Sequence, residues 1–336
     1  MRILLFGAFG NKNFGDDLCL AALVHQLRKI QPDCDLTVSP MRSESINQNL
    51  AGDITVLNRN ILDNPAEINQ YDMLALGPGG IFEWPHEPFI HADWCRDITI
   101  PIVLMAVGVW PHRAYQPLFE KAAFLGARDH ASYQNCKLMG GGDQVSLMPD
   151  PALASDYLEH ASAQDAVYDI GFCLRQWLPM AYEQDRLLAE CRELASVESL
   201  FVAFEGGVCE GASALNDDAL GYEVSPEGRH VPYDLSLDSY LREIGQCNRL
   251  LAMRYHGCIL GLRCGVPTAG ISYLPKVSAL FELLNMQSFC TAPADFTAEW
   301  FRTRPWDEFA EQAASGLAAV QKTYAESMER LVALIS

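Results

Sequence analysis

The chain has 336 residues, of which 49% are hydrophobic and 20% charged. That is long enough for two folded domains and excludes wholesale disorder. The formal net charge is -19, from 43 acids against 24 bases. Such a surface repels nucleic acid and anionic membrane, so neither is expected as a partner. A small anion is still admissible, because screening confines exposed charges to about 10 Å and a few arginines in a low-dielectric cleft reverse the local potential.

The opening MRILLFGAFGNKNFGDD begins with a brief apolar run that lacks a small-residue cleavage site and meets a glycine-rich loop. It reads as a buried first strand rather than a signal peptide. The longest later apolar stretch, Ile100 to Trp110, falls short of the roughly 20 residues a membrane helix needs. The 11 cysteines are scattered, with no CxxC pair and no zinc-finger spacing. They read as reduced thiols in a cytoplasmic protein.

Short apolar runs alternating with helical patterns predict a parallel sheet with crossover helices. Strands are expected at Ile3 to Ala8, Leu36 to Ser39, Ile54 to Leu57, Met73 to Leu76, Ile102 to Val107 and Val145 to Met148. A helix follows Asp16-Asp17, with Leu20, Leu23, Val24, Leu27 and Ile30 on one face. The boundary falls between Asp156 and Asp169, where strong core signals are few. A second series follows: strand Ile170 to Leu174, helix Gln184 to Ala195, strands Ser199 to Phe204 and Leu250 to Met253, helix His256 to Cys264, strand Thr268 to Ser272 and helix Lys276 to Leu284. Residues 1–160 thus form one Rossmann-like domain, 161–300 a second, and 301–336 a helical tail. Asn216 to Asp234, rich in Asp, Gly and Pro, reads as a surface loop, with a lid as the lesser alternative. Two doubly wound α/β domains in tandem place a ligand cleft between them, at the carboxyl ends of the strands.

Five motifs follow strands. Gly10-Asn11-Lys12-Asn13-Phe14-Gly15-Asp16-Asp17 joins the first strand to the first helix but matches neither the dinucleotide fingerprint nor a Walker loop. Its glycines permit close backbone approach to a ligand, and Asp16 reads as a helix N-cap or as a catalytic carboxylate. Gly77-Pro78-Gly79-Gly80 is either a strand-ending turn or a second close approach. Arg128-Asp129, with Ser132 and then Asp150-Pro151-Ala152, reads most simply as an ion pair beside a helix start. Arg175 ends an apolar strand. Arg254-Tyr255-His256-Gly257 continues to Tyr273 and Lys276. If Arg254 and His256 end an extended strand, alternation puts both on one face. At the following helix start the dipole disfavours imidazolium and a bound dianion favours it, a balance suited to a general acid.

Together and in this order, from about residue 3 to 285, these motifs resemble the polysaccharide pyruvyl transferases. Pro78 stands where that family often has glycine, and the residues after Gly80 are unusual. The resemblance implies a glycosyltransferase-B-like fold with an interdomain cleft, phosphoenolpyruvate as donor substrate, and a ketal-linked pyruvate on a sugar as product. It implies His256 and Asp16 as catalytic residues and Arg128, Arg175, Arg254 and Lys276 as phosphoenolpyruvate ligands. Asn11, Asn13, Gly15, Gly79 and Gly80 would form the substrate loops. No cofactor or metal is expected, and the acceptor is a sugar, nucleotide sugar or lipid-linked glycan. Trp84, His86, His91, Trp110 and His112 are candidates for acceptor contact or for ordinary packing. The rival readings are a metal-independent nucleotide-sugar glycosyltransferase of the same fold and a non-catalytic glycan-binding relative.

Overall fold

The computed structural model describes residues 1–40, 52, 54–57, 60–83, 92–176, 181–206, 217–233 and 236–335. It divides into two compact units. Met1–Asn11, Asp16–Tyr157 and Val320–Ser336 form the first; Lys12–Gly15 and Leu158–Ala319 form the second.

In the first unit, β1 (Arg2–Gly7), β2 (Asp35–Pro40), β3 (Thr55–Val56), β4 (Met73–Leu76), β5 (Gly79–Phe82), β6 (Ile102–Val109), β7 (Phe124–Ala127) and β8 (Val145–Leu147) make a parallel sheet. The order is β3-β2-β1-β4-β6-β7-β8, with β5 paired to β6. Every residue of β6, and all of β1 after Arg2, is buried. That explains why these strands read as continuous apolar runs, as strands covered on both faces do. The strand order reverses between β1 and β4, which makes the ends of these two strands the topological switch point. Helix α1 (Phe14–Ile30) follows β1, α2 (Gln116–Lys121) precedes β7, and α3 (His130–Leu138) follows it. Ala106 takes a positive φ of 50° where the pairing of β6 with β7 slips between Leu104 and Val107. A bulge of this kind re-aims the chain at the strand's carboxyl end.

The second sheet joins β9 (Ile170–Cys173), β10 (Ser199–Val202), β11 (Arg229–Val231), β12 (Leu250–Ala252), β13 (Thr268–Ile271) and β14 (Cys290–Thr291). All pairs are parallel, in the order β11-β10-β9-β12-β13-β14, and the switch point lies between β9 and β12. Helices α4 (Ala181–Leu194), α5 (Asp217–Val224), α6 (Leu237–Gly245), α7 (Tyr255–Cys264) and α8 (Pro275–Leu283) connect these strands. Helix α7 ends at Gly265, whose φ of 73° is the left-handed cap that glycine adopts without strain. The long α9 (Phe309–Ile335) contributes to both units. Its last turns are tied to β8: the Ser327 hydroxyl donates to the Leu147 carbonyl at 2.6 Å, and Arg330 Nη1 donates to the Val145 carbonyl at 3.1 Å.

Two sequence expectations are corrected, and one helix was missed. The Asn216 to Asp234 loop contains α5 and β11, because Asp217 is buried as an internal counter-ion rather than solvated. Helix α6 was hidden by the same polar neighbourhood, although Ser236 caps it by accepting the Ser239 N–H. Arg254 and His256 do not extend a strand: β12 stops at Ala252, Arg254 is the N-cap position, and His256 lies in the first turn of α7. Among the described residues, no helix is long and apolar enough to cross a membrane.

Candidate functional site

In the second unit, three adjacent strands deliver basic side chains at their carboxyl ends. Arg175 comes two residues after β9, Arg254 two after β12, and Lys276 sits in the first turn of α8, just past β13. Arg175 and Arg254 therefore flank the switch point, where ligands of doubly wound sheets bind. Tyr273 lies among them. Its hydroxyl accepts from Arg175 Nη1 at 3.2 Å, and the Arg175 guanidinium stands 5.3 Å from its ring centre.

Burial alone would raise the Tyr273 hydroxyl's pKa. Lys276, Arg175 and Arg254, together with the Arg175 hydrogen bond, outweigh it and hold the group below the usual tyrosine range. Tyr273 thus senses the three cations around it. The ultraviolet titration difference between wild type and Tyr273→Phe is expected to show tyrosinate forming below pH ~10, the ordinary value. Saturating phosphate should move that ionisation upward, since a bound anion cancels the cations. Ionisation at or above the ordinary range would contradict this electrostatic account.

Arg254 is buried and held by two carboxylates. Its Nε donates to Asp217 Oδ2 at 2.9 Å and its Nη2 to Asp217 Oδ1 at 2.5 Å. Nη2 also lies 2.7 Å from Glu205 Oε2. Despite its burial, these partners raise its pKa further. Asp217 thereby engages Nε and one Nη2 hydrogen, and the remaining Nη hydrogens, including the one on the Glu205 side, are those by which this side chain can reach a ligand. Asp217 Oδ2 also accepts the backbone N–H groups of Phe204 and Glu205, at 3.0 and 3.1 Å. Sequence reasoning missed both acids; an Asp-Asp pair opening a helix was the available signal for Asp217.

The segment Lys12–Gly15 is part of this unit. Asn13 bridges Glu205 in antiparallel fashion, and the Phe14 N–H donates to the Phe204 carbonyl at 3.0 Å. The Phe14 ring stacks on Tyr240 at 3.9 Å and meets Phe204 edge-on at 5.7 Å. All three rings are buried, and such a cluster anchors the segment more firmly than its polar contacts do. Asn13 Oδ1 accepts the Gly15 N–H at 3.0 Å, capping α1. The helix begins at Phe14, which corrects the reading of Asp16 as the cap. A Cβ on Gly15 would lie 2.1 Å from His256 Nδ1, so the imidazole seats directly on this glycine. Asn11 sits just before the segment, its amide donating to the Ala8 carbonyl at 2.9 Å.

The first unit collects the other expected residues at its own carboxyl edge. Asp16 lies in the first turn of α1. Near it Cys19 donates to Asp150 Oδ2 at 3.2 Å; burial first, then Asp150 and Asp16, push that thiol's pKa well above its ordinary range. Arg128 is buried and pairs with Glu83, with Asp129 at 3.5 Å. Asp129 caps α3 by accepting the Ser132 N–H at 2.8 Å, and Asp150 accepts that of Ala152 at 2.9 Å. Both motifs therefore have a local capping function. Gly77 (φ 102°) and Gly79 (φ 105°) flank Pro78 in the turn from β4 into β5. Gly80 and Gly108 clear space for the Glu83 carboxylate: a Cβ at either would stand 2.3 Å from one of its oxygens. Arg128 is thus seated with the first unit's acids, while Arg175, Arg254, His256 and Lys276 are gathered in the second unit. Trp84, His86 and His91 lie outside the described residues. Trp110 is exposed, and His112 caps a short turn through Nδ1, accepting the Ala114 N–H at 3.1 Å.

Comparison with known proteins places this architecture. Three solved structures align over nearly the whole chain. Staphylococcus aureus MnaA, solved with UDP, shares 10% identity over 99% of this chain and 95% of that one, with a TM-score of 0.59. The Neisseria meningitidis UDP-GlcNAc 2-epimerase, bound to UDP-GlcNAc, shares 11% over 98% and 100%, with a TM-score of 0.58. A Thermobaculum terrenum O-GlcNAc transferase variant shares 11% over 99% and 67%, with a TM-score of 0.54. At these identities the likeness shows the fold alone, the two-domain Rossmann-like arrangement of the glycosyltransferase-B class. No curated protein is a significant sequence match. The family model of the polysaccharide pyruvyl transferases matches residues 13–275, a span that includes Asn13, Gly15, Asp16, Arg128, Arg175, Arg254 and His256 and ends one residue before Lys276. The chain belongs to the polysaccharide pyruvyl transferase family.

Proposed function

We propose that this transferase moves the pyruvyl group of phosphoenolpyruvate onto two hydroxyls of a sugar, forming a cyclic ketal. The observation that carries the reading is the convergence of Arg175, Arg254 and Lys276 on Tyr273, at three adjacent strand ends beside a switch point. Phosphoenolpyruvate bears a carboxylate and a phosphate, and guanidinium groups with a movable lysine suit both.

In this scheme His256 gives a proton to the methylene carbon of the enol, and cationic character develops at C2. A sugar hydroxyl adds to C2 and surrenders its proton; Asp16 is the carboxylate proposed to orient and deprotonate it. The C2–O bond to phosphate then breaks, and the phosphate departs with its electron pair. A second hydroxyl closes the ketal, and its proton restores His256 while the first proton leaves on phosphate. Basic side chains positioned before reaction stabilise the departing phosphate without reorganisation. Arg128 is proposed to act from the first unit, where Glu83 and Asp129 hold it. Asn11, Asn13, Gly15, Gly79 and Gly80 would shape the substrate loops. The scheme takes phosphoenolpyruvate as a substrate and calls on no cofactor.

The test is turnover of phosphoenolpyruvate with a panel of nucleotide sugars, lipid-linked glycans and free glycans, read as inorganic phosphate release together with the mass of a pyruvate ketal. Phosphate release matched by ketal formation supports the reading. Release of a nucleoside diphosphate from a sugar nucleotide, without consumption of phosphoenolpyruvate, would overturn it in favour of glycosyl transfer.

A further inference from the structure

Glu205 lies where an anionic ligand would be expected. Its Oε2 is 2.7 Å from Arg254 Nη2 and 3.6 Å from Arg175 Nη2, the two guanidinium groups that flank the switch point. Its side chain is 17% exposed, so the contact is largely shielded from screening. Arg254 already has a buried partner in Asp217, which takes both its Nε and Nη2. Glu205 is therefore not needed to neutralise Arg254. Its backbone is fixed independently: its N–H donates to Asp217 at 3.1 Å and it bridges Asn13. A rigid backbone carrying a carboxylate into a basic pair reproduces what the carboxylate or phosphate of a small substrate would do there.

We propose that Glu205 is an internal competitor for the anion site: its carboxylate faces Arg175 and Arg254, yields them to an arriving anion, and re-pairs to drive phosphate out after transfer. This inference rests on the donor reading above only for the identity of the anion. The competition itself applies to any small carboxylate or phosphate. Lys276 and Arg175 supply the attraction and Glu205 sets its strength, which makes Glu205 a positioning residue acting through the two arginines.

The experiment compares wild type, Glu205→Gln and Glu205→Asp, measuring calorimetric binding of inorganic phosphate and of pyruvate. Glutamine keeps the shape and removes the charge; aspartate keeps the charge but withdraws it by one methylene. Removing a like charge at contact distance is expected to tighten phosphate or pyruvate binding about tenfold, with the aspartate variant between glutamine and wild type. Whichever probe responds identifies the half of the donor that displaces Glu205. Unliganded Glu205→Gln should unfold at a lower temperature than wild type, since the arginines lose a partner, yet gain more from phosphate. In turnover, KM for the donor and kcat should fall together, because phosphate leaves more slowly. Unchanged or weaker binding of both probes overturns the inference, as does a raised KM, the result of a merely structural role. Should the glutamine variant fail to fold, the aspartate variant decides on the same criterion. Tighter phosphate binding without any turnover of phosphoenolpyruvate would leave the inference standing and sink the donor assignment.

Discussion

Pyruvyl transfer is expected to fall about 10²–10⁴-fold in His256→Asn, the usual worth of a positioned general acid. Affinity for phosphoenolpyruvate should change little, because the imidazole is assigned to proton transfer rather than to holding the anion. His256 occupies the first turn of α7 and rests against Gly15, a glycine whose N–H is fixed by Asn13. The ring therefore has one defined seat, and the neighbouring Tyr255 ring meets it edge-on at 5.1 Å. Steady-state kinetics with a separate binding isotherm give the answer. Loss of kcat with retained affinity supports a general acid. Retained turnover removes His256 from the chemistry, and a matched loss of binding would make it a donor ligand instead.

The second large effect concerns Asp217. Its carboxylate holds the Phe204 and Glu205 N–H groups and two nitrogens of Arg254, and it is buried. Asp217→Ala would leave a buried guanidinium with Glu205 as its remaining acid partner. Breaking a buried ion pair from one side costs about 3–5 kcal/mol, and denaturant unfolding should show a loss of that size. The same loss releases the turn carrying Glu205 and the Arg254 fork, so donor affinity should fall as well. Asp217→Ala combined with Arg254→Met should be less destabilised than Asp217→Ala alone, because the uncompensated charge is gone. A loss well under 1 kcal/mol for the single variant, or strict additivity in the pair, would show that the clamp carries little energy.

Much of the fold was legible because parallel strands buried on both faces leave uninterrupted apolar runs. β1, β4, β6, β9 and β13 all announce themselves this way. The basic residues of the second unit were legible for a related reason: each follows such a run by a few residues, where the ligand-bearing edge lies. Asp217 was not, since a buried acid in an Asp- and Gly-rich stretch looks like any solvated turn until its arginine, 37 residues away, is placed beside it. Arg128 posed the same difficulty with Glu83, 45 residues distant. The affiliation of Lys12–Gly15 was equally hidden, because it depends on Phe14 stacking on Tyr240. The alternation argument for Arg254 and His256 failed because β12 ends at Ala252 and hands over to a helix. Their proximity to the anion site follows from the helix start instead.

Phosphoenolpyruvate is proposed to bind at the second unit's cation cluster. Thermal unfolding of wild type and Lys276→Gln with phosphoenolpyruvate, inorganic phosphate and UDP sugars tests it most directly. Lys276 is the apt variant because it lies at the helix start rather than in the buried clamp of Arg254. Phosphoenolpyruvate at 100 times its dissociation constant should add about 2.7 kcal/mol to wild type, and the shift should shrink in Lys276→Gln. Stabilisation by a UDP sugar, with none from phosphoenolpyruvate, would contradict the account.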